Sequence, residues 1–253
     1  MAITESTSKV QGDRKLPARE VRLLHASDTH LGLAATPTAN ERAFVALIDY
    51  ATSNDVHVLV LAGDVFDSSR VGLKILEWTA AELNRLDCPV VILPGNHDIH
   101  GDVSAFATFD FELHCPNVHV LDEPGGESVH LPSLDVTFFG RAVYDHQSSF
   151  RPLADIPPRP DTGWCVVIGH GLVLGDDGPT DRGSPIFPSD LNVIDWDYVA
   201  LGHVSTYEQI QLEPAPVFYS GNLASSRDGI PGAVLVEMVP LRGVYPTWIP
   251  LGT

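Results

Sequence analysis

VHVLVLAGDVFD, residues 56–67, is the stretch that decides the fold. From Val56 to Ala62 every residue but His57 is apolar, and the run stops at a Gly-Asp pair. A short apolar run bounded by a turn signal reads as a strand buried on both faces. Two neighbours repeat the design. VRLLHAS (21–27) runs into a polar loop, and PVVIL (89–93) runs into PGNHD. Between the first two runs, residues 40–53 show helical periodicity, with Phe44, Leu47, Ile48 and Ala51 on one stripe and Asn40 as the expected N-cap. Residues 71–86 read as a second helix. The order βαβαβ implies parallel strands joined by crossover helices.

The second half changes character. Short β-like runs are expected at 117–121, 128–131, 134–140, 164–169, 198–202, 208–212, 217–220, 233–238 and 245–249, most of them separated by turn residues. A Pro-rich connection covers 150–163, and 171–190 reads as a long polar loop with a weak helical signal. No internal repeat is evident. The 253 residues suit one domain, expected over 19–253 without a separate capping domain, after a polar, flexible tail at 1–18. No secretory signal and no membrane-spanning apolar run is visible, and Cys88, Cys115 and Cys165 form neither a zinc pattern nor a disulfide framework, so a reducing cytoplasm is expected. The net charge of −18, with 15 basic residues against 33 acidic ones, opposes binding of an extended polyanion unless basic groups cluster or metal ions screen the site.

Polar clusters recur directly after apolar strands: Asp28-Thr29-His30, Gly63-Asp64, Gly95-Asn96-His97-Asp98, Gly169-His170 and Gly202-His203. In open α/β sheets ligands gather at the carboxyl ends of strands. Asp, Asn and His supply oxygen and imidazole donors for Mn, Fe, Zn or similar ions. One such histidine alone is more often a hydrogen-bonded structural group. Five clusters at five strand ends point to a metal site, where two ions a few Å apart would clamp a phosphoryl group.

LHASDTHLG, LAGDVFD, LPGNHD, IGH and DYVALGHVS together resemble the five ordered motifs of the calcineurin-like metallophosphoesterases. The first and last, with VFYSGN…GAVLVEM, are similar to the nuclease domain of SbcD-type DNA repair exonucleases, from about Arg22 to Met238. The resemblance implies a four-layer α/β/β/α sandwich of two mixed sheets flanked by helices. It implies Asp28, His30 and Asp64 on a first divalent transition-metal ion, with Asp64 bridging to a second held by Asn96, His170 and His203. Mn is the favoured metal, with Fe or Zn as alternatives. His97 would be the general acid, and Asp98 either its orienting partner or a turn-stabilising carboxylate. The expected activity is hydrolysis of a phosphodiester in a nucleotide or nucleic acid. The alternatives are a small-nucleotide phosphodiesterase, a phosphomonoesterase, or a catalytically impaired binding module.

Three departures matter. The family's last motif is usually GHxH, whereas this chain reads Gly202-His203-Val204-Ser205, which removes one imidazole from the first ion and predicts weaker or metal-selective occupancy there. Gly221-Asn222-Leu223 stands where Gly-Ser-Pro is common, and the chain stops soon after its last strand. The last two features count against processing of DNA ends and against an ATPase partner. The oligomeric state is left open. Asp67 reads as a loop-structuring acid, His25 and His57 as satisfied histidines, His100 as solvated, and Arg141 and Arg182 as surface ion-pair residues rather than phosphate contacts.

Overall fold

The computed structural model describes residues 19–34, 38–99, 104–145, 147–161 and 163–252. The expected tail at 1–18 and His100 lie outside the described residues. The first half contains β1 (Val21–Ala26), α1 (Ala39–Ser53), β2 (Val58–Ala62), α2 (Leu73–Leu83), β3 (Val90–Leu93), the one-turn helices α3 (Ala105–Thr108) and α4 (Phe111–His114), and β4 (Val118–Val120). Next come β5 (Glu127–Leu131), β6 (Val136–Gly140), β7 (Trp164–His170), β8 (Leu172–Val173), β9 (Pro185–Ile186) and α5 (Pro188–Leu191). The chain ends with β10 (Tyr198–Gly202), β11 (Glu208–Gln211), β12 (Val217–Tyr219), β13 (Gly232–Val239) and β14 (Gly243–Pro250).

These strands build two six-stranded mixed sheets, ordered β14-β13-β1-β2-β3-β4 and β11-β12-β10-β7-β6-β5. The strands β1 to β4 are mutually parallel, as are β6, β7, β10 and β12. Alternation along each strand sorts its side chains into layers. On β2, Val58 and Val60 enter the layer between the sheets, while Leu59 and Leu61 face the helices. The inter-sheet layer holds Phe138, Val166, Ile168, Tyr198 and Phe218. The outer face of the first sheet packs on Phe44, Leu47 and Ile48 of α1 and Leu76 and Leu83 of α2. Leu153, Ile194, Trp196 and Leu191 of α5 cover the outer face of the second. That double cover explains why β2 is continuously apolar.

Two details differ from expectation. The N-cap of α1 is Thr38, not Asn40: Thr38 accepts from the Asn40 N–H, and the Glu41 carboxylate accepts the Thr38 N–H at 2.7 Å, closing a capping box. Asn40 is spent elsewhere, its amide donating to the His30 carbonyl at 3.1 Å and fastening the helix to the loop after β1. The loop at 171–190 contains the short parallel pair β8 and β9 and the turn α5. The Tyr219 hydroxyl secures its root, donating to the Gly171 carbonyl at 2.7 Å and accepting the Val173 N–H at 2.8 Å. Among the described residues no helix is long and apolar enough to cross a membrane, and all three cysteines are free thiols.

Candidate metal centre

All five polar clusters sit at the carboxyl ends of parallel strands, and the two sheets bring those ends together. The β1–β2 ladder continues past both strands: Asp28 donates to the Gly63 carbonyl (3.0 Å), His30 to that of Asp64 (3.0 Å) and Leu31 to that of Val65 (2.9 Å). This keeps Asp28, His30 and Asp64 in register while their backbones turn sharply. Asp28, His30, Asp64 and His203 all have positive φ, at 52°, 44°, 51° and 102°. Such conformations cost a non-glycine residue roughly 1 kcal/mol or more and collect at functional sites. Two glycines make room. A Cβ on Gly63, itself at φ +89°, would lie 2.0 Å from His170 Nδ1, and one on Gly95 would lie 2.2 Å from an Asp64 oxygen.

The donor atoms form two groups that share Asp64. In one, single donor atoms of Asp64, His170 and His203 lie within 4.8 Å of one another; in the other, those of His30, Asp64 and His97 do. In the buried group, His170 Nδ1 faces the Ala62 carbonyl at 2.9 Å, so that nitrogen carries the proton and Nε2 is turned inward. Nε2 stands 3.3 Å from Asp64 Oδ2 and 2.9 Å from Asn96 Oδ1, and His203 Nδ1 reaches the same Asn96 oxygen at 2.8 Å. Burial alone would push His170 down, but the Asp64 and Asp28 carboxylates raise it to about 10. Burial works against the Asp64 charge too, yet His170 beside it holds the carboxyl below the usual range. Burial, reinforced by His170, lowers His203 to about 4.

The second group is more open. His30 lies with its Nδ1 3.6 Å from Asp67 Oδ1 and its Nε2 4.0 Å from Asp28 Oδ1. The His30 and His97 rings meet edge-on with centroids 4.7 Å apart. His97 donates its backbone N–H to Asp64 at 2.8 Å, and its Nδ1 faces the Asp67 carbonyl at 3.0 Å, which leaves Nε2 without a hydrogen bond among the described residues. Asp28 is anchored by the Ser27 hydroxyl at 2.5 Å and the His203 N–H at 3.0 Å. Ser27 also meets the Ser220 hydroxyl at 2.8 Å, a contact that sequence reading passed over because neither serine carries a motif of its own.

The remaining expected residues fall as follows. Asp98 is buried, and its carboxylate accepts three backbone N–H groups, from Gly95 (2.6 Å), Val65 (2.7 Å) and Phe66 (3.1 Å). That is the bonding of a turn-structuring group, and none of these bonds goes to the His97 ring. Burial, with the Asp64 charge, pushes Asp98 up to about 7. Ser205 is exposed, and its carbonyl accepts the Asn222 N–H at 2.9 Å. Arg141 donates to the Gly125 and Arg151 carbonyls, so it ties loops together, and among the described residues it lacks the expected ion pair.

A two-sheet sandwich with Asp, Asn and His donors converging at its strand ends is the frame of a phosphoric ester hydrolase. The chain belongs to the calcineurin-like phosphoesterase family, whose model matches residues 21–207. It is 27% identical over 223 residues to an uncharacterized metallophosphoesterase of Bacillus subtilis, YhaO, covering 80% of this chain and 53% of that one. It is 29% identical over 233 residues to the DNA double-strand break repair protein Mre11 of Haloferax volcanii, covering 87% and 50%. The chain thus spans about half the length of these curated relatives. Among solved structures it resembles the purple acid phosphatase PPD1 of yellow lupin, with a TM-score of 0.61 and 12% identity over 94% of this chain and 53% of that one.

Proposed function

We propose that this chain hydrolyses phosphodiester bonds of nucleotides or nucleic acid at a centre of two divalent transition-metal ions, Mn being favoured. The observation that carries the reading is the pair of overlapping donor groups joined at Asp64. The donor set fits such ions: three imidazoles, an amide oxygen and carboxylates converge, and a carbonyl fixes the tautomer of His170. Asp28, His30 and Asp64 would hold the first ion, and Asp64, Asn96, His170 and His203 the second. When bound, such ions neutralise phosphoryl charge and lower the pKa of water.

The chain's own residues do the rest. Asn96 aligns with both His170 and His203. His97, with Nδ1 committed to the Asp67 carbonyl, presents Nε2 to protonate the leaving oxygen. Asp98 acts as a positioning residue: it pins the loop before His97 to the loop after Asp64. The relationship to a DNA repair Mre11 supports a nucleic-acid diester over a monoester. The test is turnover of bis-p-nitrophenyl phosphate, p-nitrophenyl phosphate and linear DNA with added Mn. Diester and DNA cleavage lost in His97→Ala supports the reading. Turnover of the monoester alone, or of nothing, rejects it.

A further inference from the structure

Several cations of this acidic protein have partners of their own. Arg22, Arg85, Arg151 and Arg159 sit in ion pairs, and Arg141 is bonded to carbonyls. Arg227 differs. Among the described residues its guanidinium has no acidic partner and no hydrogen bond, yet it is not loose: it lies over the rings of Trp248 (5.4 Å) and Tyr207 (6.0 Å). A two-residue turn at Asp228-Gly229, both at positive φ, closes a small hairpin between Arg227 and Ile230. The residue before it, Ser226, accepts the Tyr207 N–H at 2.7 Å and the Trp248 indole N–H at 2.9 Å. The same loop reaches the metal centre: Asn222 bridges to Ser27 and donates to the Ser205 carbonyl, and Ser220 bonds Ser27, which bonds Asp28.

We propose that Arg227, held between Tyr207 and Trp248, is a phosphate-binding residue for a part of the substrate beyond the scissile bond. The inference rests on the phosphodiesterase reading and narrows it to an oligonucleotide, since only a chain with a further phosphate would reach the centre and Arg227 together. A guanidinium offers a planar fork of N–H donors that matches phosphate oxygens, and the two aromatic faces hold the guanidinium by cation–π contact without consuming those donors. Arg227 lies outside both donor groups, so its contact is with a flanking phosphate.

The test measures binding of a fluorescent oligothymidylate by anisotropy in Ca²⁺ across a salt series, and steady-state cleavage of the same oligomer in Mn. Arg227→Ala is expected to weaken binding about tenfold, to lower the slope of log affinity against log salt by about one, and to raise KM more than it lowers kcat. Arg227→Lys should keep the salt slope and recover part of the affinity. Melting curves of each variant separate a folding defect from a binding one. Unchanged affinity and slope in a folded Arg227→Ala protein overturn the proposal, as does wild-type protein that fails to bind the oligomer. If the wild type binds in an Arg227-dependent way but cleaves no diester, the hydrolytic reading falls and the contact stands. If it cleaves diesters with an Arg227-independent KM, the contact falls alone.

Discussion

The two donor groups share one carboxylate and little else. On the Asp64–His170–His203 side, His170 is fully buried, with one ring nitrogen on a carbonyl and the other on Asn96 and Asp64. On the His30–Asp64–His97 side, His97 is exposed, His30 Nδ1 is 3.6 Å from its nearest carboxylate, and an exposed serine stands where the family usually supplies an imidazole. Preorganised, dry donors bind tightly, whereas exposed donors with loose outer partners bind weakly and exchange readily. One set of strand-end motifs thus builds two donor groups of unequal burial and bonding, and the proposed ions would be held unequally by them.

The shared carboxylate is where both donor groups should fail together. Asp64→Asn should abolish binding of both ions together and take diester hydrolysis to background, as read by calorimetric metal titration and turnover. His97→Ala should cost kcat roughly a hundredfold or more while the tighter ion still binds with its wild-type affinity. A comparable loss of the tighter ion would make His97 a ligand first and an acid second. In chelated, metal-free protein, proton linkage tests the buried side. His170 is raised from 6.5 to about 10, so the stability from its pairing with Asp64 is fully present below pH 6.5 and is lost as pH rises through 10. The melting temperature should fall over that window, and His170→Gln should flatten the fall. On the open side, Ser205→His should tighten the weaker ion about tenfold or more, drawing the two affinities together; two equally tight sites in the wild type would remove the basis for it. The smallest effect is expected from Asp67→Asn, a few-fold weakening of the open site alone, since Asp67 stands beside His30 without a short hydrogen bond.

Much of this was legible in the sequence because buried parallel strands leave a plain mark. Val58 to Ala62 is buried throughout, and the polar residues after such strands have nowhere to go but the carboxyl-end cleft. The expected strands of the second half are present, from Val118–Val120 to Gly243–Pro250, for the same reason. What was not legible depends on partners distant in the chain. Thr38 outcompetes Asn40 as a cap because Glu41 closes the box and Asn40 has the His30 carbonyl to bond. The β8–β9 pair is two residues long, too short for any periodicity to register. Ser27 and Ser220 are 193 positions apart, and Arg227 acquires its meaning only from the rings of Tyr207 and Trp248.

The outer strand of the first sheet has a consequence of a different kind. In β14, Pro246 lies opposite Val236 and Pro250 opposite Gly232, and the strand keeps its full register with β13. Both prolines occupy even positions, so the donors they lack fall along the same side, which must be the free one if pairing with β13 is intact. An incoming strand would find two gaps in the row of N–H groups it needs. This edge is therefore poorly suited to recruiting another copy, and the protein gains resistance to edge-to-edge aggregation from two residues that take no part in its chemistry.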